Sequence, residues 1–353
     1  MKTHRILTVL LTAATLALPI SHGTRACTRL IYEGAGDRYL TARSMDWQED
    51  IHSDLWIFPR GLKRDGGAGP GSIEWTSKYG SVVVSGYDIG SADGMNEKGL
   101  VVNLLYLAEA EFGAAGDKPV ISVGAWAQYI LDNHATVADA VAALRAEPFR
   151  ILGAVLPNGA KTSLHVAISD AGGDSAILEY IDGRLVIHHG RQYRVMTNSP
   201  VFDQQLALNA YWEQIGGVAM LPGTSRAADR FARASYYVRT APKFKDERMA
   251  VGGAFGVIRN ASVPLGVTDP ARPNIASTIW RTVADHQSLR YYYESAISPN
   301  VFWVDLGRVD FTAGSGSRKL ELEGHPTFAG DVSGKFLPAE PFKWLNPRAP
   351  HGR

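Results

Sequence analysis

One cysteine among 353 residues, Cys27, limits how this chain can be held together. No internal disulfide can form, and no cysteine-rich metal site can act as a staple. The fold must therefore rest on an apolar core, and 45% hydrophobic residues in a chain of this length are ample for one. The thiol also stands at a conspicuous place. Ahead of it lie Lys2 and Arg5, an apolar run from Ile6 to Ile20, and small or polar residues ending in Thr24-Arg25-Ala26. That is the layout of a secretory signal peptide cut after Ala26. Residues 1–26 are accordingly expected to be removed and the remainder, 27–353, to reach the periplasm. A lipid anchor on Cys27 is the rival reading, but Thr24 and Arg25 suit that processing site poorly.

Removal of residues 1–26 takes away Lys2, Arg5 and Arg25 and no acid, leaving 33 basic against 35 acidic residues. A near-neutral chain without a basic block has no electrostatic footprint for nucleic acid. No apolar run after residue 26 is long enough to span a bilayer, so no membrane insertion is expected.

Alternation of apolar and polar positions predicts strands in "CTRLIYE", "RYLTARSMDW" and "DLWIFPR", followed by a Gly-rich loop at 61–72. The stretch 81–107 reads as strands around a turn at Asn96 to Gly99. Residues 120–147 read as helical, with Thr136 as an N-cap. Strands near 162–170, 175–181, 184–189 and 193–197 form a meander, and helical text covers 201–215, 226–240 and 245–258. Strands return at 275–285, 288–296 and 300–306. Blocks of strands and helices in this order predict an α+β domain of two stacked sheets with helices outside. No linker or repeat divides it, and the Pro/Gly-rich C-terminus from about Pro338 is expected to be loose.

Common catalytic motifs are missing. There is no G-x-S-x-G and no H-E-x-x-H, and the ten histidines show no metal-ligand spacing. The adjacent pair His188-His189 would point to opposite faces of a strand. Cys27 remains. As the first residue of a processed chain it would combine nucleophile and base, since an α-amine with pKa near 8 can take the thiol proton. Such a site needs a carboxylate to hold the amine, a cation to favour thiolate, and donors for a developing oxyanion.

With Cys27 followed by Arg43-Ser44-Met45-Asp46, "ADGMNEKGL" at 92–100, "TNSPVFD" at 197–203 and "LPG" ahead of "SRAADRFAR", the chain resembles the choloylglycine hydrolase family. These N-terminal-nucleophile hydrolases include penicillin V acylases and conjugated bile acid hydrolases. The resemblance runs from Cys27 to about Glu294. It implies an αββα sandwich of two antiparallel sheets flanked by helices, and hydrolysis of a linear amide through a thioester with no cofactor and no metal. Carried over, it makes Cys27 the nucleophile, Asp46 the holder of its amine and Arg43 the neighbouring cation. Asn198 and the backbone N–H of Tyr106 become oxyanion donors, and Arg230 completes the polar network. Tyr106 tilts the substrate towards penicillin V, with long-chain acyl-homoserine lactones beside it. Conjugated bile acids are the alternative substrate, and an inactive or lipid-anchored binding protein is the alternative of another class.

Trp47, beside Asp46, is the expected substrate-binding aromatic. Trp56, Phe58, Tyr79, Tyr87 and Trp126 are further candidates for an apolar acyl pocket, and loops near 60–72 and 132–136 are expected to set acyl preference. The short segment 203–221, where family members carry an assembly loop, leaves the homo-oligomer open between dimer and tetramer.

Overall fold

The computed structural model describes residues 26–217, 219–267, 276–298 and 300–348. The expected signal segment, apart from Ala26, lies outside them.

Two large sheets form the body. The first runs in space Val195–Met196, Cys27–Glu33, Tyr39–Trp47, Ser277–Asp285, Arg290–Ser295, Val301–Asp305 and Gly330–Asp331, antiparallel except for the last pair. The second is antiparallel throughout: Arg184–His189, Ser175–Ile181, Leu164–Ser169, Val101–Tyr106, Gly90–Asn96, Ser81–Gly86, Leu55–Phe58, Arg318–Leu320 and Leu337–Pro338. Helices α1 (Val123–Asn133) and α2 (Val137–Arg145) cover the outer face of the second sheet. Helix α3 (Phe202–Ile215) packs on α4 (Ala227–Thr240), which with α5 (Glu247–Asn260) covers the first. The architecture is thus the expected αββα sandwich.

Each sheet is covered on both faces, and this explains a departure from simple alternation. Tyr39–Trp47 is buried at every position, charged Arg43 and Asp46 included. One face meets the other sheet and the other meets helices. Val82, Val84, Met95, Leu105, Ala167 and Ile177 fill the space between sheets, Leu30 and Ala42 turn to the helix side of the first sheet with Asp46, and Val102, Leu178, Trp126, Ile130 and Val141 seal the second sheet to its helices.

The predicted turn is present. The side-chain oxygen of Asn96 accepts from the N–H groups of Lys98 and Leu100, and Gly99 supplies a left-handed φ of 82°. Two expectations change. The helical stretch at 120–147 starts later than expected, because Val120–Ser122 is a strand paired parallel with Arg150–Leu152; beyond it α1 stops at His134, and Thr136, the expected N-cap, caps α2 by accepting from Asp139 N–H at 3.1 Å. The described part of the C-terminal segment, 338–348, is not loose. Phe342 meets Trp56 and Phe58 edge-on, Trp344 packs on Phe342, and the backbone N–H of Leu345 donates to the Ile89 carbonyl at 2.7 Å. Pro and Gly signal irregular backbone, and irregular backbone can still be pinned by aromatic side chains.

Candidate active site

Cys27 opens the strand Cys27–Glu33 opposite Met45. Residues two apart on a strand share a face, so Arg43 lies diagonally across from Cys27 on the side facing the second sheet. Its Nη2 is 3.9 Å from the thiol sulfur, and the Met45 sulfur is 3.7 Å from that same thiol. The second sheet locks this guanidinium in place. Arg43 donates to the Leu104 and Ala92 carbonyls, both at 2.7 Å, and lies 3.3 Å from Asp93 Oδ2. Asp93 in turn accepts from Asn103 Nδ2 at 2.7 Å and from the Tyr291 hydroxyl. The thiol is fully buried; burial pushes its pKa up, and Arg43 is the main influence drawing it back.

Asp46 points to the other face, towards α4. One carboxylate oxygen accepts from the Thr278 hydroxyl at 2.5 Å. The other, Oδ2, is 3.7 Å from Arg230 Nη1 and has no hydrogen-bond donor among the described residues. Burial pushes this carboxyl up to about 6, against the pull of Arg230. Asp46 directly follows Met45, the strand partner of Cys27.

Arg230 ties the corner together from α4. Nη1 donates to the Cys27 carbonyl and the Thr28 hydroxyl, both at 2.6 Å, and Nη2 donates to Asn198 Oδ1 at 2.9 Å. Because Arg can only donate, this contact orients the Asn198 amide. Asn198 Oδ1 also accepts from the Cys27 backbone N–H, and its Nδ2 donates to the Tyr106 carbonyl at 2.7 Å. Gln205 of α3 donates to the Asn198 backbone carbonyl and accepts from the Thr197 hydroxyl at 2.9 Å. All six expected catalytic residues therefore meet in one buried network: Cys27, Arg43, Asp46, Tyr106, Asn198 and Arg230. It presents a thiol flanked by a fixed cation, with a buried carboxylate and a side-chain amide at the start of the first described strand.

An almost wholly apolar pocket opens from Cys27 and Arg43. Trp47, Tyr87 and Tyr106 line it, and the Trp47 indole N–H donates to the Tyr87 hydroxyl at 3.0 Å. The other aromatic candidates do not. Trp56, Phe58 and Trp126 belong to the core between the second sheet and its helices, and Lys98 lies over the Tyr79 ring. Neither loop expected to set acyl preference lines the cavity. The walls come from the neighbourhoods of Ile89, Val123, Leu156 and Leu345, and residues 62–74 border a separate cleft. His188 and His189 take different partners, the Phe202 ring and Asp174. No group of three or more His, Cys, Asp or Glu among the described residues could share a metal ion.

Sequence reasoning missed Asp93, Thr278 and Gln205. Asp93 stands in "ADGMNEKGL", a motif that carries the resemblance without marking a role for its acid. Thr278 and Gln205 carry no local signal, because only strand pairing and helix packing bring them to Asp46 and Asn198.

Comparison with known proteins places this geometry. Residues 27–317 match the family described as linear amide C–N hydrolases, choloylglycine hydrolase family. The chain is 52% identical to the penicillin V acylase of Pectobacterium atrosepticum, over 95% of each chain. It is also 52% identical to the solved penicillin V acylase of Agrobacterium tumefaciens, with a TM-score of 0.85 over 91% of this chain and 100% of that one. A conjugated bile acid hydrolase from Clostridium perfringens, crystallised in mutant form, shares the fold. Its TM-score is 0.71 at 22% identity, over 87% of this chain and 98% of that one.

Proposed function

This chain belongs to the choloylglycine hydrolase family and hydrolyses linear amides, and we propose that it does so with Cys27 as an N-terminal nucleophile acting on penicillin V-type acyl amides. The observation that carries this reading is that Oδ2 of buried Asp46, the residue after Cys27's strand partner Met45, accepts no hydrogen bond among the described residues and faces only the Arg230 guanidinium at 3.7 Å. A buried carboxylate oxygen without a donor is costly, and a free ammonium at Cys27 is the partner that would satisfy it. Export with loss of residues 1–26, and hence a periplasmic location, is part of the same proposal.

In this mechanism the Cys27 α-amine takes the thiol proton, and Arg43, 3.9 Å from sulfur, favours the thiolate. Sulfur attacks the amide carbonyl carbon and the carbonyl oxygen becomes an anion. One hydrogen of the Asn198 amide goes to the Tyr106 carbonyl; the second, with the Tyr106 N–H, would donate to that anion. Arg230 holds both the Cys27 carbonyl and Asn198 Oδ1, so nucleophile and donor share one anchor. The C–N bond then breaks, and the amine leaves with the proton held by the α-amine. Water, deprotonated by the same amine, cleaves the thioester to acid and thiol.

The apolar, aromatic-lined cavity suits an aryl acyl group such as phenoxyacetyl. The relatives' names favour penicillin V as the amide. The same apolar walls also suit a long acyl chain, which keeps acyl-homoserine lactones in the reading.

The test pairs the intact mass of protein recovered from the periplasm of a secreting host with hydrolysis of penicillin V, a decanoyl-homoserine lactone and a glycine-conjugated bile acid. The expected result is a chain beginning at Cys27 that is most active on penicillin V. Full activity from a chain that retains any residue ahead of Cys27 would overturn the mechanism. Preference for the bile acid conjugate would overturn the substrate.

A further inference from the structure

The C-terminal segment supplies a wall of the cavity, and nothing in the catalytic network requires it. Leu345 lies at the far end of the sequence from Cys27 and lines the same apolar space. Its backbone is held on both sides: its N–H donates to the Ile89 carbonyl at 2.7 Å, and its carbonyl accepts from the Ser122 hydroxyl. Ser122 also caps α1, accepting from the Gly124 N–H at 3.2 Å. The segment is therefore stitched to the first turn of a helix whose start itself lines the cavity.

Packing there leaves no slack. A methyl group on Gly124 would lie 2.6 Å from the Ile89 carbonyl oxygen and 3.3 Å from Leu345 Cβ, so only glycine lets these three backbones meet. Outside the cavity the segment is anchored by Phe342 and Trp344, with the Arg64 guanidinium 5.4 Å from the Trp344 ring centre. An anchored backbone presents its side chain in one place. Leu345 is half-buried, sharing its cavity with Trp47, Tyr87 and Leu164.

We propose that this C-terminal strap, through Leu345, forms an adjustable wall of the acyl pocket and limits the size of the acyl group admitted. The proposal rests on the pocket being the acyl site, as argued above. A leucine side chain differs from alanine by three carbons, and hydrophobic pockets discriminate about tenfold or more per methylene. The other walls come from strands and a helix of the core and the loops that join them, whereas the described strap, 341–348, belongs to no strand of either sheet. Its side chain can change without disturbing a sheet register.

Binding of free acids tests the strap separately from turnover. Phenoxyacetate and decanoate are titrated by calorimetry into the mature protein and its Leu345→Ala and Leu345→Trp variants, with thermal unfolding as a check on folding. Leu345→Ala is expected to raise the decanoate-to-phenoxyacetate affinity ratio about tenfold, and Leu345→Trp to lower it by a similar factor. An unchanged ratio in a folded variant overturns the strap's role, as does failure of the wild type to bind either acid. Hydrolysis of the matching amides is measured in parallel. Acid binding that follows Leu345 without any amide hydrolysis would retain the wall and reject the catalytic reading.

Discussion

The first described strand and the last described segment reach the same cavity with opposite materials. At Cys27 the chain buries a thiol, two guanidiniums, a carboxylate and an amide, each fixed by a directional partner. At Leu345 it places an aliphatic side chain, fixed by two backbone hydrogen bonds and flanking aromatics. The first corner tolerates little, because a buried charge that loses its partner keeps its desolvation cost. The second tolerates exchange, because an apolar wall answers mainly to volume. On the proposed reading, chemistry and selectivity are thereby separated onto parts of the chain that can vary independently.

The largest effects should fall on the polar corner. Cys27→Ser is expected to keep the folded structure and lower kcat on penicillin V by about 10⁴-fold or more, measured on protein whose intact mass shows the correct first residue. A single residue left ahead of Cys27 should have a similar effect, reversed when a protease trims it. Retained turnover in either case removes the N-terminal nucleophile from the mechanism.

Asn198→Ala comes next. Loss of one oxyanion donor should cost ~10²–10³ in kcat with KM changed far less. An effect confined to KM would mean that Asn198 only shapes the pocket.

The electrostatics of Asp46 give a third contrast, between the uncleaved and mature chains. In the uncleaved chain its folded pKa is raised to about 6 from an ordinary 3.8. Its contribution to stability is then fully present below about pH 4 and is lost as pH rises through 6. That loss amounts to ~3 kcal/mol by pH 7. Urea midpoints at pH 4.5 and 7.5 should show it in uncleaved protein, and Asp46→Asn should flatten it. In a chain that begins at Cys27 the proposed ammonium would pair with the carboxylate, so the same comparison should show little. Equal pH dependence in both chains would break the link between Asp46 and the amine.

The smallest effect belongs to the strap's anchor. Trp344→Ala removes a half-buried aromatic and should lower stability by ~2 kcal/mol, while kcat on penicillin V changes less than about threefold. A collapse of kcat would show that the two corners are coupled after all.

How much of this was legible beforehand differs between the same two places. The motif set around Cys27, Arg43, Asp46, Asn198 and Arg230 could be read in the sequence because directional chemistry restricts residue type and order. With Tyr106 they do converge. Their partners were not all readable: Asp93 sits in a recognised motif without a role, and Thr278 and Gln205 act from elements with no marker of their own. The aromatic candidates show the limit on the apolar side. Trp47 and Tyr87 reach the cavity, whereas Trp56, Phe58 and Trp126 fill the core, and nothing local distinguishes the two groups.

The sequence by itself determined the block order of strands and helices, the αββα sandwich that it implies, and the family to which the chain belongs. Periodicity and fixed polar residues are local properties, and a linear text records them directly. Only the tertiary structure decided that Val120–Ser122 is a strand rather than the start of a helix, that the described C-terminal segment is a strap, and that Leu345 rather than the loops at 60–72 or 132–136 walls the cavity. An apolar side chain has no direction of its own. Which cavity it borders follows from where distant backbones are held, here by an Ile89 carbonyl and a Ser122 hydroxyl more than two hundred residues upstream.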